Sequence, residues 1–148
     1  MAEYKFVDNS PVVAVDVIAE TPTGIILIER KYEPFGYAIP GGHVDKGESL
    51  ENAARRELFE EVKVEADFIA QFHAYSQPNR DPRRHVISVV FLAQTSMVPE
   101  AADDAKEAHI IKLEDALIMC DVLAFDHHQI LADYAAWKMD GGFPPSYR

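Results

Sequence analysis

The segment "GGHVDKGESLENAARRELFEEVKV", residues 41–64, constrains this chain more than any other stretch. Two glycines open it. Ser49 then stands where a helix N-cap accepts a backbone N–H, and Glu51 sits against the positive end of the helix dipole. From Ser49 to about Val62 the pattern is helical. At about 100° per residue, with Glu57 at zero, Glu61 falls near ~+40° and Glu60 near ~−60°, so three carboxylates share one stripe. Leu58, Val62 and Phe59 fall at about 100°, 140° and 200°, which gives an apolar side for packing and leaves the acidic side for chemistry. Like charges at this spacing cost about 0.2–0.5 kcal/mol on an exposed helix, and more in a cleft. Arg55 and Arg56 neutralise part of that charge without explaining why the carboxylates converge. A hard dication, Mg²⁺ or Mn²⁺, prefers oxygen donors and relieves the repulsion. A solvated acidic face is the plainer alternative.

The remainder of the chain sets the frame for that helix. "PVVAVDVIAE" and "GIILIERK" are β-branched runs joined by "TPTG", which reads as a hairpin with Gly24 in the turn. "YEPFGYAIPGGHVDKGE" reads as a loop, "DFIAQFHAYS" and "HVISVVFLAQTS" as strands linked by "QPNRDPRR", and "AHIIKL" as a short strand. "FDHHQILADYAAWKM" is a second helix with Ile130, Tyr134 and Trp137 on one face. Strands interrupted by only two substantial helices predict an α/β chain, a mixed sheet with helices on its faces. At 148 residues and 48% hydrophobic content, one domain spanning 1–148 is expected.

Charge narrows the range of partners. Fourteen Lys+Arg against 25 Asp+Glu give a net charge of −11, which disfavours nucleic-acid backbones and anionic membranes. A small phosphate-bearing ligand remains compatible where cations are local. Cys120 is the only cysteine, so no intrachain disulfide forms, and it reads as a small buried hydrophobe. The amino-terminal sequence carries neither a basic, apolar leader nor an apolar run of spanning length, and a cytoplasmic protein is expected.

The spacing Gly42, five residues, Glu48, seven residues, then Arg56-Glu57-Leu58-Phe59-Glu60-Glu61 resembles the signature box of the Nudix hydrolases. One fixed position differs: Lys63 stands where the family usually has Gly, at a cost of about 1 kcal/mol if it adopts a left-handed conformation. The resemblance implies an α/β/α sandwich around a central mixed sheet and metal-dependent hydrolysis of a nucleoside diphosphate linked to another moiety. By the same resemblance Glu57 and Glu61 are the main side-chain ligands of Mg²⁺ or Mn²⁺. Glu60 is a further ligand or the water-activating group, and the Gly41 carbonyl completes the site. Arg56 orients the acids, and Glu48 braces the loop against the helix or supports a ligated water. A loop carboxylate after the long strand can supply the base in related hydrolases, so Glu107, with Asp104 behind it, is the candidate here. Related enzymes are often homodimers.

Other segments bear on the substrate. "AYSQPNRDPRRHVISVVF" resembles a segment of bacterial and archaeal ADP-ribose pyrophosphatases, with Arg84 at a position usually held by Gly. Arg80, Arg83 and Arg84 concentrate positive charge, and a guanidinium clamps phosphate with two bonds. Tyr75, Phe35 and Tyr37 are candidates for stacking on a base. The histidines, His127 among them, read as structural or surface residues because the cation site already has oxygen donors. The expected reaction is hydrolysis of ADP-ribose to AMP and ribose 5-phosphate. The alternatives are a nucleoside-triphosphate pyrophosphohydrolase, acting on an oxidised nucleotide or a pterin triphosphate, and an ADP-ribose-sensing domain.

Overall fold

The structure is a computed structural model that describes residues 9–141. Strand β1 (Val12–Thr21) is apolar on both sides, and Val15, Val17, Ile18 and Ala19 are all fully buried. Such a run requires covering on both faces of a sheet. Thr21 turns the chain, its hydroxyl donating to the Gly24 carbonyl and accepting from the Gly24 amide, and β2 (Gly24–Arg30) returns antiparallel. The expected hairpin therefore forms, but its strands pair only at Glu20–Ile25 and Thr21–Gly24. Beyond that point β1 and β2 separate. Into the opening fits β4 (Gly41–His43), antiparallel to Ala14–Asp16 of β1, while β3 (Tyr37–Ala38) pairs with β2. Both short strands lie in the stretch expected to be a loop; their regularity comes from sheet edges supplied elsewhere in the chain.

The other edge of β1 carries β6 (Val86–Gln94) in parallel over nine consecutive pairs, and β5 (Phe68–Tyr75) pairs antiparallel outside it. Strand β7 (Ala105–Ile111) pairs antiparallel with β2 and shifts register at Glu29/Arg30. The sheet is thus seven-stranded and mixed, in the order β3-β2-β1-β6-β5, with β4 on β1 and β7 on β2.

Helix α1 (Leu50–Val62) covers one face, where Ala53, Ala54, Leu58 and Val62 meet Val15, Val17, Ile26, Ile28 and Phe91. The opposite face is covered by α3 (His127–Asp140) and by a short helix, α2 (Leu113–Leu117), which bring Ile130, Leu131, Tyr134 and Ala116 against Ile18, Ile25, Leu27 and Val90. This is the expected α/β/α sandwich, with α2 the helix that periodicity missed. Five residues are too few for a 3.6-residue pattern to declare itself.

Helix α1 begins and ends as its sequence implies. Ser49 is the N-cap and accepts from the Asn52 amide. Lys63 ends the helix at φ 58°, in the left-handed region, with its N–H donating to the Phe59 carbonyl and its ammonium over the Phe59 ring. Phe59 itself is 46% exposed, because its position on the wheel points beside the sheet rather than into it. Cys120 is exposed as well, just past α2, so the reading of a buried hydrophobe is corrected. Among the described residues no helix is long and apolar enough to cross a membrane.

Replacing Lys63 by Gly relieves the left-handed strain and is expected to raise stability by about 1 kcal/mol, offset in part by the lost contact with Phe59. Lys63→Val is expected to lower it. Urea denaturation of the three proteins checks both signs.

Candidate active site

The site forms where β4 fills the opening between β1 and β2 and passes under α1. A Cβ on Gly42 would overlap the Glu57 carboxylate, and a Cβ on Gly41 would overlap the Val15 carbonyl oxygen and the Asp16 carboxylate. Only glycine at both positions lets the strand run between the helix acids and β1. The Gly41 N–H donates to Glu61 Oε2 at 3.1 Å, fixing that carboxylate against the strand.

The three carboxylates of the stripe differ sharply in exposure. Glu61 is buried, the Glu57 side chain is mostly covered, and Glu60 is nearly half exposed. Burial pushes Glu61 up to about 8, and the nearby charges of Glu57, Asp16 and Asp104 raise it further, against the opposing Gly41 hydrogen bond. Burial also raises Glu57, although Arg56 opposes the shift. These two acids are held where a lone carboxylate is hard to ionise, which is the environment a bound dication stabilises.

Arg56 organises the rest of the cluster. Its Nε donates to Glu48 Oε2 (2.7 Å), Nη1 to Glu57 Oε1 (2.8 Å) and Glu60 Oε2 (3.1 Å), and Nη2 to Glu48 Oε1 (2.8 Å) and the His43 carbonyl (3.0 Å). All five guanidinium N–H groups are used. Glu48 is held down to about 2 by Arg56 and by the Asp45 amide, so it stays an anion that braces Arg56. Arg56 thus contacts both Glu57 and Glu60, and Glu48 contacts Arg56.

A pocket opens beside Glu61, lined by Arg30, Gly41, His43, Arg83 and Phe125, with Asp16, Arg80 and His127 at its base. The Arg30 and Arg83 guanidiniums lie over the Phe125 ring, 4.9 and 5.5 Å from its centroid. Phe125 is held at φ 56°, a conformation rare for a bulky residue. Arg30 loses basicity through burial and the neighbouring charge of Arg83. Such paired, partly dehydrated cations suit a phosphate-bearing ligand.

Behind the pocket lies a buried network. The Asp16 carboxylate accepts from the Ser88 hydroxyl, and His127 Nε2 lies 3.5 Å from it. His127 Nδ1 accepts the Ile39 N–H at 3.0 Å, so its proton sits on Nε2, facing Asp16. Burial opposes ionisation of Asp16, but His127, Ser88 and Arg80 together hold it below the usual carboxylate range. Asp16, Arg30, Phe125 and His127 are among the pocket residues that sequence reading did not single out as site residues. Asp16 had a signal, as the lone acid within an apolar strand; the others had none.

Several sequence candidates sit differently from expectation. Arg80 is buried and bound to Asp126 through two bonds, at 2.9 and 2.6 Å, so its guanidinium is committed to the protein. Arg83 pairs with buried Asp81, but its side chain is about half exposed at the pocket. Arg84 is exposed. Tyr75 is a core residue whose hydroxyl donates to Asp133 at 2.8 Å, which removes its ring as a stacking surface. Tyr37 packs on the α3 face of the sheet, edge-on to His109, while Phe35 is 65% exposed in the preceding turn. Glu107 is in β7 rather than in a loop. It pairs with Glu29 on the sheet face away from α1, so it does not join the acidic cluster. Asp104, just before β7, is the loop acid whose charge reaches Glu57 and Glu61.

A seven-stranded mixed sheet between helices thus carries an acidic helix, held close over two glycines, beside a pocket lined by Arg30 and Arg83. The chain matches the NUDIX domain family over residues 10–135 and belongs to the Nudix hydrolases. It is 44% identical over 131 residues to an ADP-ribose pyrophosphatase of Methanocaldococcus jannaschii, covering 86% of this chain and 75% of that protein. It is similar to the NUDIX domain of Shewanella oneidensis NrtR, solved in complex with ADP ribose, with a TM-score of 0.79 and 26% identity over 94% of this chain and 99% of that one. It also resembles a bifunctional NMN adenylyltransferase/ADP ribose pyrophosphatase of Francisella tularensis, solved with AMP and a Mn ion (TM-score 0.75, 29% identity). That match covers 90% of this chain but 42% of the bifunctional one.

Because Glu61 is raised above its unfolded value near 4.5, its contribution to stability is complete below that value and is lost as pH rises through about 8. The metal-free protein is therefore expected to lose a few kcal/mol of stability between about pH 5 and 8. Glu61→Gln should flatten the profile, and added Mg²⁺ should restore the loss. Thermal melts across that range, with and without EDTA, check this.

Proposed function

We propose that the chain is a Mg²⁺- or Mn²⁺-dependent pyrophosphohydrolase that converts ADP-ribose to AMP and ribose 5-phosphate. The single observation that carries the reading is buried Glu61 with the mostly covered Glu57, both raised above the usual carboxylate range, beside a pocket lined by Arg30 and Arg83. Glu57, Glu60, Glu61 and the Gly41 carbonyl would hold the cation. A dication there would supply polarisation of phosphate oxygens and a more acidic water.

The chain's own residues do the rest. Arg56 keeps Glu57 and Glu60 apart and aimed, and Glu48 keeps Arg56 in place. Glu60, the most exposed of the three acids and held by Arg56, is either a further ligand or the group that accepts the proton of the attacking water, and the charge of Asp104 also reaches the cluster. Arg30 and Arg83 neutralise the diphosphate, and Phe125 between them offers an apolar wall to the rest of the ligand. The 44% identity to an ADP-ribose pyrophosphatase supports this substrate over a nucleoside triphosphate. The same reading treats residues 1–148 as one cytoplasmic catalytic domain, alone or as a homodimer. Likeness to the ADP-ribose-bound NrtR domain favours a second reading, a sensor that binds the same ligand without cleaving it.

Incubation with Mg²⁺ and a panel of ADP-ribose, NADH, nucleotide sugars and nucleoside triphosphates is expected to give the fastest release of product from ADP-ribose. Binding of ADP-ribose with no AMP formed would select the sensor. Glu57→Gln and Glu61→Gln are each expected to lower kcat on the order of 100-fold while the fold is kept, as judged by circular dichroism.

Gly42→Ala forces the Glu57 carboxylate aside and is expected to lower kcat by a similar factor, on the order of 100-fold. Steady-state kinetics at saturating Mg²⁺ check it.

A further inference from the structure

On the sheet face away from α1, β2 and β7 bring Glu29, Glu107 and His109 together, each offering a donor atom, with all three atoms within 4.8 Å of one another. Glu29 and Glu107 are direct cross-strand partners, an arrangement in which two like charges destabilise a sheet. His109 lies two residues along β7 from Glu107 and therefore on the same face. Lys106 Nζ, 3.6 Å from Glu29, offsets part of the charge from an exposed position.

The imidazole supplies an independent observation. The His109 side chain is about a third exposed, but its Nε2 is covered and makes no hydrogen bond among the described residues, lying 3.1 Å from Glu107 Oε2. Tyr37 holds the ring from its other side, edge-on at 5.7 Å, so the unsatisfied nitrogen is kept facing the carboxylates. Two donors about 2.0–2.2 Å from one tetrahedral ion are separated by about 3.3 Å, close to the observed spacing of this pair. Glu29 supplies the third donor within the same 4.8 Å cluster, and Glu107, more than half exposed, has room to adjust toward it.

The geometry points to a second metal site at Glu29, Glu107 and His109, distinct from the acidic helix and built for a borderline transition-metal ion such as Zn²⁺. One imidazole and two carboxylates match Zn²⁺ or Co²⁺ better than Mg²⁺, which takes oxygen donors alone. Three protein ligands leave a fourth position to solvent. The ion would tie β7 to β2 beside the register shift at Glu29/Arg30.

The full chain, stripped with EDTA and kept in saturating Mg²⁺ to fill the acidic helix, is titrated with Zn²⁺ by calorimetry. The wild type and Glu57→Gln are expected to take up one tight Zn²⁺ equivalent that His109→Gln lacks, while His109→Gln retains the wild-type Mg²⁺-dependent rate on ADP-ribose. The imidazole ¹⁵N signals of wild-type His109 are expected to shift on Zn²⁺ addition, and those of His127 to stay fixed, which tests the site without relying on a variant that folds. Equal Zn²⁺ uptake by wild type and His109→Gln, or ¹⁵N signals of His109 that do not move, would overturn the proposal.

Discussion

Glu61 is a carboxylate taken out of water by the very glycine that holds it. The Gly41 amide binds its Oε2, and Gly42 passes so near Glu57 that no side chain fits between them. Burial of that kind opposes ionisation, and adjacent acids make it worse. The surrounding architecture serves this one close approach. The strands β1 and β2 part after two pairs so that β4 can enter, and α1 crosses over the entering strand with its acidic stripe turned toward it. A dication at that point would convert a destabilising cluster into a bound complex and so link stability to ligand binding.

Two arginine arrangements frame the cluster and perform opposite tasks. Arg56 spends every donor on fixed partners, which makes it a scaffold for Glu57 and Glu60. Arg80 is likewise committed, pinning the loop before β6 to Asp126 at the start of α3. Arg30 and Arg83, by contrast, flank Phe125 and face the pocket, and Arg83 keeps about half its side chain in solvent. The cations left facing the pocket are thus those whose partners leave them room. The buried Asp16–His127 contact joins α3 to β1 directly beneath the pocket, so the helix that closes the second layer also shapes the floor of the site.

The legible residues were those whose roles follow from local spacing. The Ser49 cap, the left-handed Lys63 and the acidic stripe all lie within one helix and its lead-in, and all are found. Errors arose wherever a side chain's surroundings depend on distant chain. Tyr75 looked like a stacking ring until Asp133, far along the sequence, was found to hold its hydroxyl. Glu107 looked like the loop acid, but the pairing of β7 with β2 turns it to the far face and leaves that position to Asp104. Cys120 sits in an apolar stretch yet is exposed, because α2 buries Ala116 and not the residues after it.

Sequence alone determined the acidic helix, its two glycines and the alternation of strands and helices, because each is set by period and by neighbours a few residues away. Tertiary structure decided which of the acids is buried, which arginines remain available to a ligand, and that Asp16, Phe125 and His127 belong to the pocket. Dielectric, and with it the ease of ionising Glu61, is a property of everything packed around a group, and no local pattern of residues encodes it.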